Sequence, residues 1–195
     1  MVFAHRTSTP LPGRETHLHR YAKKLPAVEI NSSFRNFHRP STYARWADSV
    51  PDDFRFAVKV HRDVTHGGSL EEWEPMARFL EDTANLGEKL GVYLVQLPPS
   101  HEFRQERAQA FFERLQGEAE IVCEPRHESW FTEEVGDLLQ AWKIGRVAAD
   151  PSPAQGAGRP GGWQGVIYYR LHGSPRMYYD RYSEEELGEY AEDLR

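Results

Sequence analysis

Short apolar stretches that end abruptly in polar residues recur six times along this chain. They are VEINSSF (28–34), FAVKVHRDVTH (56–66), VYLVQLPP (92–99), IVCEPRH (121–127), VAADP (147–151) and IYYRLHG (167–173). Side chains alternate faces along a strand, so residues two apart share a face. Glu29 and Asn31 share one, opposite Val28 and Ile30. Lys59 and His61 share one, opposite Val58 and Val60, and Arg170 and His172 share one, opposite Tyr169 and Leu171. Buried strands that repeatedly finish in Glu, Lys, Gln, Asp or Arg with matching parity predict a parallel sheet. Its carboxyl ends would converge on one site, as in α/β barrels and doubly wound sheets. Glu29, Lys59, Gln96, Glu124, Asp150 and Arg170 are thereby predicted to face one cavity.

Segments of helical spacing lie between the strands. Residues 15–25 carry Leu18, Tyr21, Ala22 and Leu25 on one face. Pro40 opens a second helix in which Tyr43, Trp46 and Ala47 repeat the pattern before Pro51 stops it. Residues 69–90 start with a capping-box pair, Ser69 and Glu72. Residues 101–115 and 132–142 follow, and 183–194 closes the chain behind a second such pair, Ser183 and Glu186. Strand and helix alternate from residue 15 onward, which predicts a parallel α/β architecture in a single domain over 1–195. The exception is PSPAQGAGRPGGWQG (151–165), too rich in glycine and proline to hold a helix. It matches neither GxGxxG nor GxxxxGK[ST], and the expectation is a mobile loop at the active end with Trp163 closing over a ligand.

Composition narrows the function classes. A length of 195 residues suits one domain with a substantial core. The net charge of −6 is modest and the charges are mixed, with no basic run to suggest nucleic acid. No apolar run approaches a membrane span, and the N-terminus lacks the pattern of a signal peptide. Cys123 is the only cysteine, so no internal disulfide can form, and a reducing cytosol is the expected setting. Within IVCEP, on the face opposite Glu124, it reads as a packed strand residue.

Each candidate side chain has a chemical and a structural reading. Glu29 and Glu124 end apolar strands, where a lone carboxylate is costly to bury. They are either an acid/base pair or partners in ion bridges to Lys59, Arg126 or Arg170. Lys59 is read as a charge anchor in preference to a Schiff-base nucleophile. Arg170 is a bidentate clamp for an anion, or a bridge to Asp150. His127 and His172 with Glu124 and Asp150 could hold a metal, but no tight spacing supports one and none is assigned. His17 and His19 lie two apart in a helical segment and are expected in solvent. Trp46, Trp73 and Trp142 read as packing; Trp130 packs or stacks on a ligand ring.

VEINSSF, RWADSVPDDFRFAVKVHRDVTH, LGVYLVQLPP, EPRHESWF, VAADPSP and YYRLHG, in this order, resemble the YecE-like family, a bacterial domain of unknown function, over about residues 21–182. The resemblance implies a TIM-type barrel with these motifs at its C-terminal mouth, and implies no reaction. Glu29, Asn31, Lys59, His66, Gln96, Glu124, Arg126, His127, Asp150, Arg170 and His172 fall on the family's recurrent polar positions. The family's usual first strand, ending in Gly-Trp or Gly-Tyr, is missing from MVFAHRTSTPLPGRE, and so is its aromatic, Asn-bearing eighth strand. Barrels of this type run to about 250 residues. The expectation is therefore an incomplete or open barrel in a fragment or degenerate member, with a seam or a makeshift strand at residues 2–5 and edges open to self-association.

The resulting expectation is a cytoplasmic TIM-barrel-like protein taking a small polar, anionic or carbohydrate-like molecule, with no nucleic-acid or membrane partner. Glu29 and Glu124 are its acid/base candidates, with carboxyl groups about 5–10 Å apart if they act as a hydrolytic pair. Asn31, Lys59, His66, Gln96, Arg126, His127, Asp150, Arg170 and His172 bind the ligand. The alternatives are an isomerase or lyase acting on a sugar phosphate, and a non-catalytic barrel that binds a metabolite or nucleotide. No cofactor is identified.

Overall fold

The structure, a computed structural model, describes residues 16–67, 70–117, 119–174 and 176–194. Its residue contacts divide into two units, Met1–Gln96 with Gln105–Ile121, and Leu97–Arg104 with Val122–Arg195.

The first unit is built on three parallel strands, β1 (Ala27–Ile30), β2 (Arg55–Lys59) and β3 (Leu90–Gln96), in that order. Glu29 pairs with Ala57, and Lys59 with Leu94. Phe56 and Val58, two apart on one face of β2, are buried, and so are the adjacent Tyr93 and Leu94, so β3 is covered on both faces. Helix α1 (His17–Ala22) is capped by Thr16 and buries no residue, while α2 (Pro40–Asp48) has proline in its first turn and buries Tyr43. His17 and His19 are exposed. A single helical turn, α3 (Arg62–Thr65), follows β2. Helix α4 (Glu74–Thr83) buries Met76, Phe79 and Thr83, and α5 (Gln105–Leu115) buries Ala108, Phe111, Phe112 and Leu115, the stripe expected of one helix face.

Several boundaries differ from expectation for local reasons. The helix expected over 69–90 begins only at Glu74, because Pro75 is tolerated in the first turn and nowhere deeper. It ends at Thr83; a 3-10 segment, Ala84–Lys89, then turns at Gly87 (φ 56°), and Leu90 already belongs to β3. Ser69, its expected cap, lies outside the described residues. The helix expected from residue 101 starts at Gln105. The stretches 28–34 and 56–66 are strands only in their first halves. Ser32–Phe34 forms a 3-10 turn, fastened by the buried Ser33 hydroxyl donating to the Ile30 and Lys59 carbonyls at 2.8 and 2.6 Å.

The second unit contains β4 (Glu120–Glu124, its last three residues), β5 (Ile144–Arg146), β6 (Ala148–Asp150), β7 (Gly161–Gly162) and β8 (Tyr169–Leu171). Strands β4, β5 and β7 lie in that order, and β6 pairs with β8 in parallel. The stretch around VAADP is thus divided, since the chain leaves one ladder for the other at Val147. Within the loop expected over 151–165, β7 pairs antiparallel with β5. Glycine is needed there: Gly162 has φ 61°, and a Cβ on it would lie 2.5 Å from the Ile144 carbonyl oxygen. Helix α6 (Glu133–Ala141), capped by Thr132, buries Val135 and Leu139. Trp130 is fully buried, its ring edge-on to Phe103 at 4.9 Å and its indole N–H donating to the His101 carbonyl at 2.8 Å. It packs, as one of its two readings had it.

The fold is thus mixed α/β with mostly parallel strands flanked by helices. Among the described residues β1 has a strand neighbour on one side only, and no closed ring of strands forms. The makeshift strand expected at residues 2–5 lies outside those residues. No helix among them is long and apolar enough to cross a membrane.

Helix α7 (Glu184–Asp193) carries the expected capping box: Ser183 Oγ accepts from the Glu186 N–H at 3.2 Å, and Glu186 accepts from the Ser183 N–H at 2.7 Å. With few buried contacts, this helix depends on its cap. Ser183→Ala is expected to weaken it by about 1 kcal/mol. Amide hydrogen exchange across 184–190 should accelerate while that of β4 stays unchanged; equal exchange rates would remove this role from the cap.

Candidate functional site

Candidate residues of the first unit gather where β1, β2 and β3 end. Glu29 is half-buried on β1 and Asn31 follows it. Lys59 closes β2, 6% exposed, with its ammonium 3.9 Å from the centre of the Phe34 ring. An ammonium over an aromatic face is favoured in its charged form, which suits an anchor better than a neutral nucleophile. Phe34 also meets the His66 ring edge-on at 5.0 Å, and His66 Nδ1 lies 2.8 Å from Thr65 Oγ1. Gln96 is buried at the end of β3. His61 is stacked on Phe37 at 3.8 Å, whose ring also carries the Arg78 guanidinium at 4.3 Å. Burial draws the His61 imidazole below its ordinary pKa against the opposing pull of Asp63. A neutral ring fits its role, because Nδ1 accepts from the Asp63 N–H at 3.2 Å and caps α3.

In the second unit, Glu124 ends β4 at 1% exposure. Its Oε1 accepts from Arg126 Nε and Nη2 at 3.3 and 3.1 Å, and its Oε2 accepts from Arg170 Nη1 at 2.5 Å. This is the ion-bridged arrangement, with both oxygens held by guanidinium groups. Arg170 is itself 4% exposed, whereas the Arg126 side chain is 32% exposed. Asp150 ends β6 and accepts from the Tyr182 hydroxyl at 2.7 Å; the same hydroxyl accepts from the Gly173 N–H at 3.0 Å. Tyr182 therefore joins the ends of β6 and β8, and burial, reinforced by Asp150, pushes its phenol well above the ordinary value. His172 is buried; its backbone N–H donates to the Asp150 carbonyl at 2.8 Å.

His127 repeats the geometry of His61. It caps the 3-10 turn Glu128–Trp130, with Nδ1 accepting from the Ser129 N–H at 3.2 Å and lying 2.9 Å from Ser129 Oγ. Ser129 Oγ in turn accepts from the Phe103 N–H at 2.8 Å. Beside this turn opens a cleft of ≈ 620 Å³, lined on one side by Arg126, His127, Glu128, Phe131 and Thr132 and on the other by residues 153–156 with Pro99.

Arg146, at the end of β5, supports that first side. Its guanidinium lies over the Phe131 ring at 5.1 Å and donates to the Trp130 carbonyl at 3.4 Å, while its Nε is buried without a hydrogen-bond partner. Burial lowers its pKa. A Cβ on Gly161 would collide with this guanidinium, so glycine there admits the arginine.

Sequence reasoning did not single out Ser33, Phe34, Ser129, Arg146 or Tyr182. Only the His-x-Asp and His-x-Ser pairs, each with a polar residue two beyond a strand-end histidine, gave a readable sign of local capping. Trp163 is half-buried, directly after β7, with its backbone N–H donating to the Ile144 carbonyl at 2.9 Å. Cys123 is buried, and that burial pushes its thiol far above the ordinary range, as expected of a packed residue. Among the described residues no group of three His, Cys, Asp or Glu side chains has metal-holding geometry, the set considered around His127 and His172 included.

Comparison with known proteins gives one consistent picture. The family model described as protein of unknown function DUF72 matches residues 6–195. UPF0759 protein YecE of Escherichia coli (strain K12) is 30% identical over 149 residues, 73% of this chain and 55% of that protein. The chain therefore spans about half the length of this curated relative. Among solved structures, a DUF72 family protein (EF0366) from Enterococcus faecalis V583 superposes with a TM-score of 0.73 at 24% identity, covering 91% of this chain and 80% of that one. A DUF72 family protein (TM1631) from Thermotoga maritima MSB8 gives 0.64 at 27% identity, covering 87% and 72%.

Proposed function

The chain belongs to the DUF72 family of proteins of unknown function, and from that premise we propose that it binds a small anionic metabolite in the cleft of its second unit. One observation carries this reading: Arg126 lines the cleft while Glu124, buried behind it, fixes the orientation of the guanidinium. A planar guanidinium held from one side offers its remaining N–H groups to a ligand with little entropy left to lose. Arg170 holds the second oxygen of the same carboxylate, so Glu124 is kept ionised and serves to align the two arginines. A general acid needs the opposite environment, one that retains its proton near neutral pH. Proton transfer through Glu124 is accordingly the weaker reading, and acid/base work by a Glu29–Glu124 pair weakens with it.

The test is thermal denaturation with phosphate, citrate, glucose 6-phosphate and glucose. At least one anion is expected to raise the Tm of the native chain, and neutral glucose to leave it unchanged. Arg126→Ala removes a charge-assisted hydrogen bond worth about 1.5–3 kcal/mol, so affinity for that anion should fall roughly ten- to a hundredfold. Equal stabilisation of the variant and the native chain, or no response to any anion, would count against anion binding here.

A further inference from the structure

Resting on the anion-binding reading above, we infer that the cleft takes a ring-bearing acid, its oxyanion held between Arg126 and His127 and its ring lying on Phe131. The tautomer of His127 is set by its neighbours. Nδ1 accepts from the Ser129 backbone N–H, so it carries no proton. Ser129 Oγ already accepts from the Phe103 N–H, which leaves its own hydrogen to point at the same Nδ1. A neutral imidazole has a single N–H, so it sits on Nε2. Among the described residues Nε2 of His127 and Nη1 of Arg126 make no hydrogen bond, and both side chains line the cleft. Arg126 Nη1 and His127 Nε2 are thus the donors that this cleft offers a carboxylate or phosphate group. Glu128 lines the same cleft with a carboxylate, which suits a hydroxyl group and opposes a polyanion.

The rest of the lining calls for a ring. A volume of ≈ 620 Å³ far exceeds what an inorganic anion fills and lies within the range of small-molecule sites. Phe131 presents a half-buried aromatic surface, steadied by the Arg146 guanidinium 5.1 Å from its centroid. Gly156 stands against it, with an added Cβ only 3.6 Å from that of Phe131. Pro99 and Pro153 supply two more rigid apolar walls. Stiff, flat surfaces favour a flat ligand body over a flexible chain.

Calorimetric titration of the full chain with phenyl phosphate, benzoate, inorganic phosphate, acetate and phenol tests this. A ring-bearing acid is expected to bind at least about tenfold more tightly than the ringless acid of its own type. Whether phenyl phosphate or benzoate binds better then identifies the oxyanion. Phe131→Ala should erase the ring advantage and keep the ringless affinity. Phe131→Leu, which preserves most of the apolar volume, should shrink the advantage if the alanine variant does not fold. His127→Leu should weaken every acid about tenfold, and His127→Gln, which retains an N–H, less. Equal affinity for acids with and without a ring would overturn the inference and leave the anion reading intact. Phenol binding as tightly as phenyl phosphate would show that the oxyanion contributes nothing, and would count against the inference and the anion reading together. Failure of every acid to bind would remove the anion reading itself.

Discussion

Glu124→Gln is expected to destabilise the chain by about 3–5 kcal/mol, the loss that follows when one partner of a buried ion pair is removed. The glutamine keeps shape and volume, so the effect isolates charge. Arg170, 4% exposed, would be left with a neutral amide where it had a carboxylate, and its guanidinium cannot shed its proton to escape. Arg126, with a third of its side chain in water, can turn outward and contributes less. A Glu124→Leu, Arg170→Met double variant removes both charges, and much of the loss should return, because replacing both partners of a buried pair by apolar residues is often near neutral. Urea denaturation of the native chain, the single variant and the double variant gives the answer. A single-variant loss under about 1 kcal/mol would mean that water reaches the pair and that Glu124 is no fixed anchor.

Trp130→Ala should cost a similar amount, about 3–5 kcal/mol, for a different reason. The ring is fully buried, lies edge-on to Phe103, and its N–H is satisfied by the His101 carbonyl. Deleting it leaves a cavity that the surroundings refill only in part. Trp130 also sits in the turn that carries His127 and Phe131, so the variant should lose ligand affinity together with stability. Trp130→Phe keeps most of the apolar volume and should lose much less of both. Chemical denaturation with parallel titration of an anion checks the pair; an alanine variant of native stability would show that the turn is held from elsewhere.

Parity along β2 made part of the core legible. Val58 and Phe56 are buried where alternation put them, and Glu124 and Lys59 end their strands as read. The helix-starting Pro40 and the capping box at Ser183 likewise act locally, through contacts within four residues that a single chain displays openly. The illegible parts depend on partners distant in sequence. Nothing in NSSF says that Ser33 will reach the Lys59 carbonyl, 26 residues on, and so end the strand at Ile30. Two glycines at 161 and 162 read as loop until β5 offers them a ladder, with the Arg146 guanidinium in the space a Gly161 side chain would need and the Ile144 carbonyl in that of Gly162. Tyr182 looks like one more aromatic in a polar tail, and only the fold brings its hydroxyl to Asp150.

The two walls of the cleft tolerate change unequally. Arg126, His127 and Phe131 are tied inward through Glu124, Ser129, Trp130 and Arg146, so substitution among those supports disturbs the folded state. Residues 153–156, facing them, belong to no helix or strand and are largely exposed. Related chains can therefore diverge in what they accept by rewriting the connection between β6 and β7, with the oxyanion anchor inherited unchanged. The same division favours laboratory evolution: a library restricted to Ala154 and Gln155 would sample new ligand preferences while nearly every member still folds.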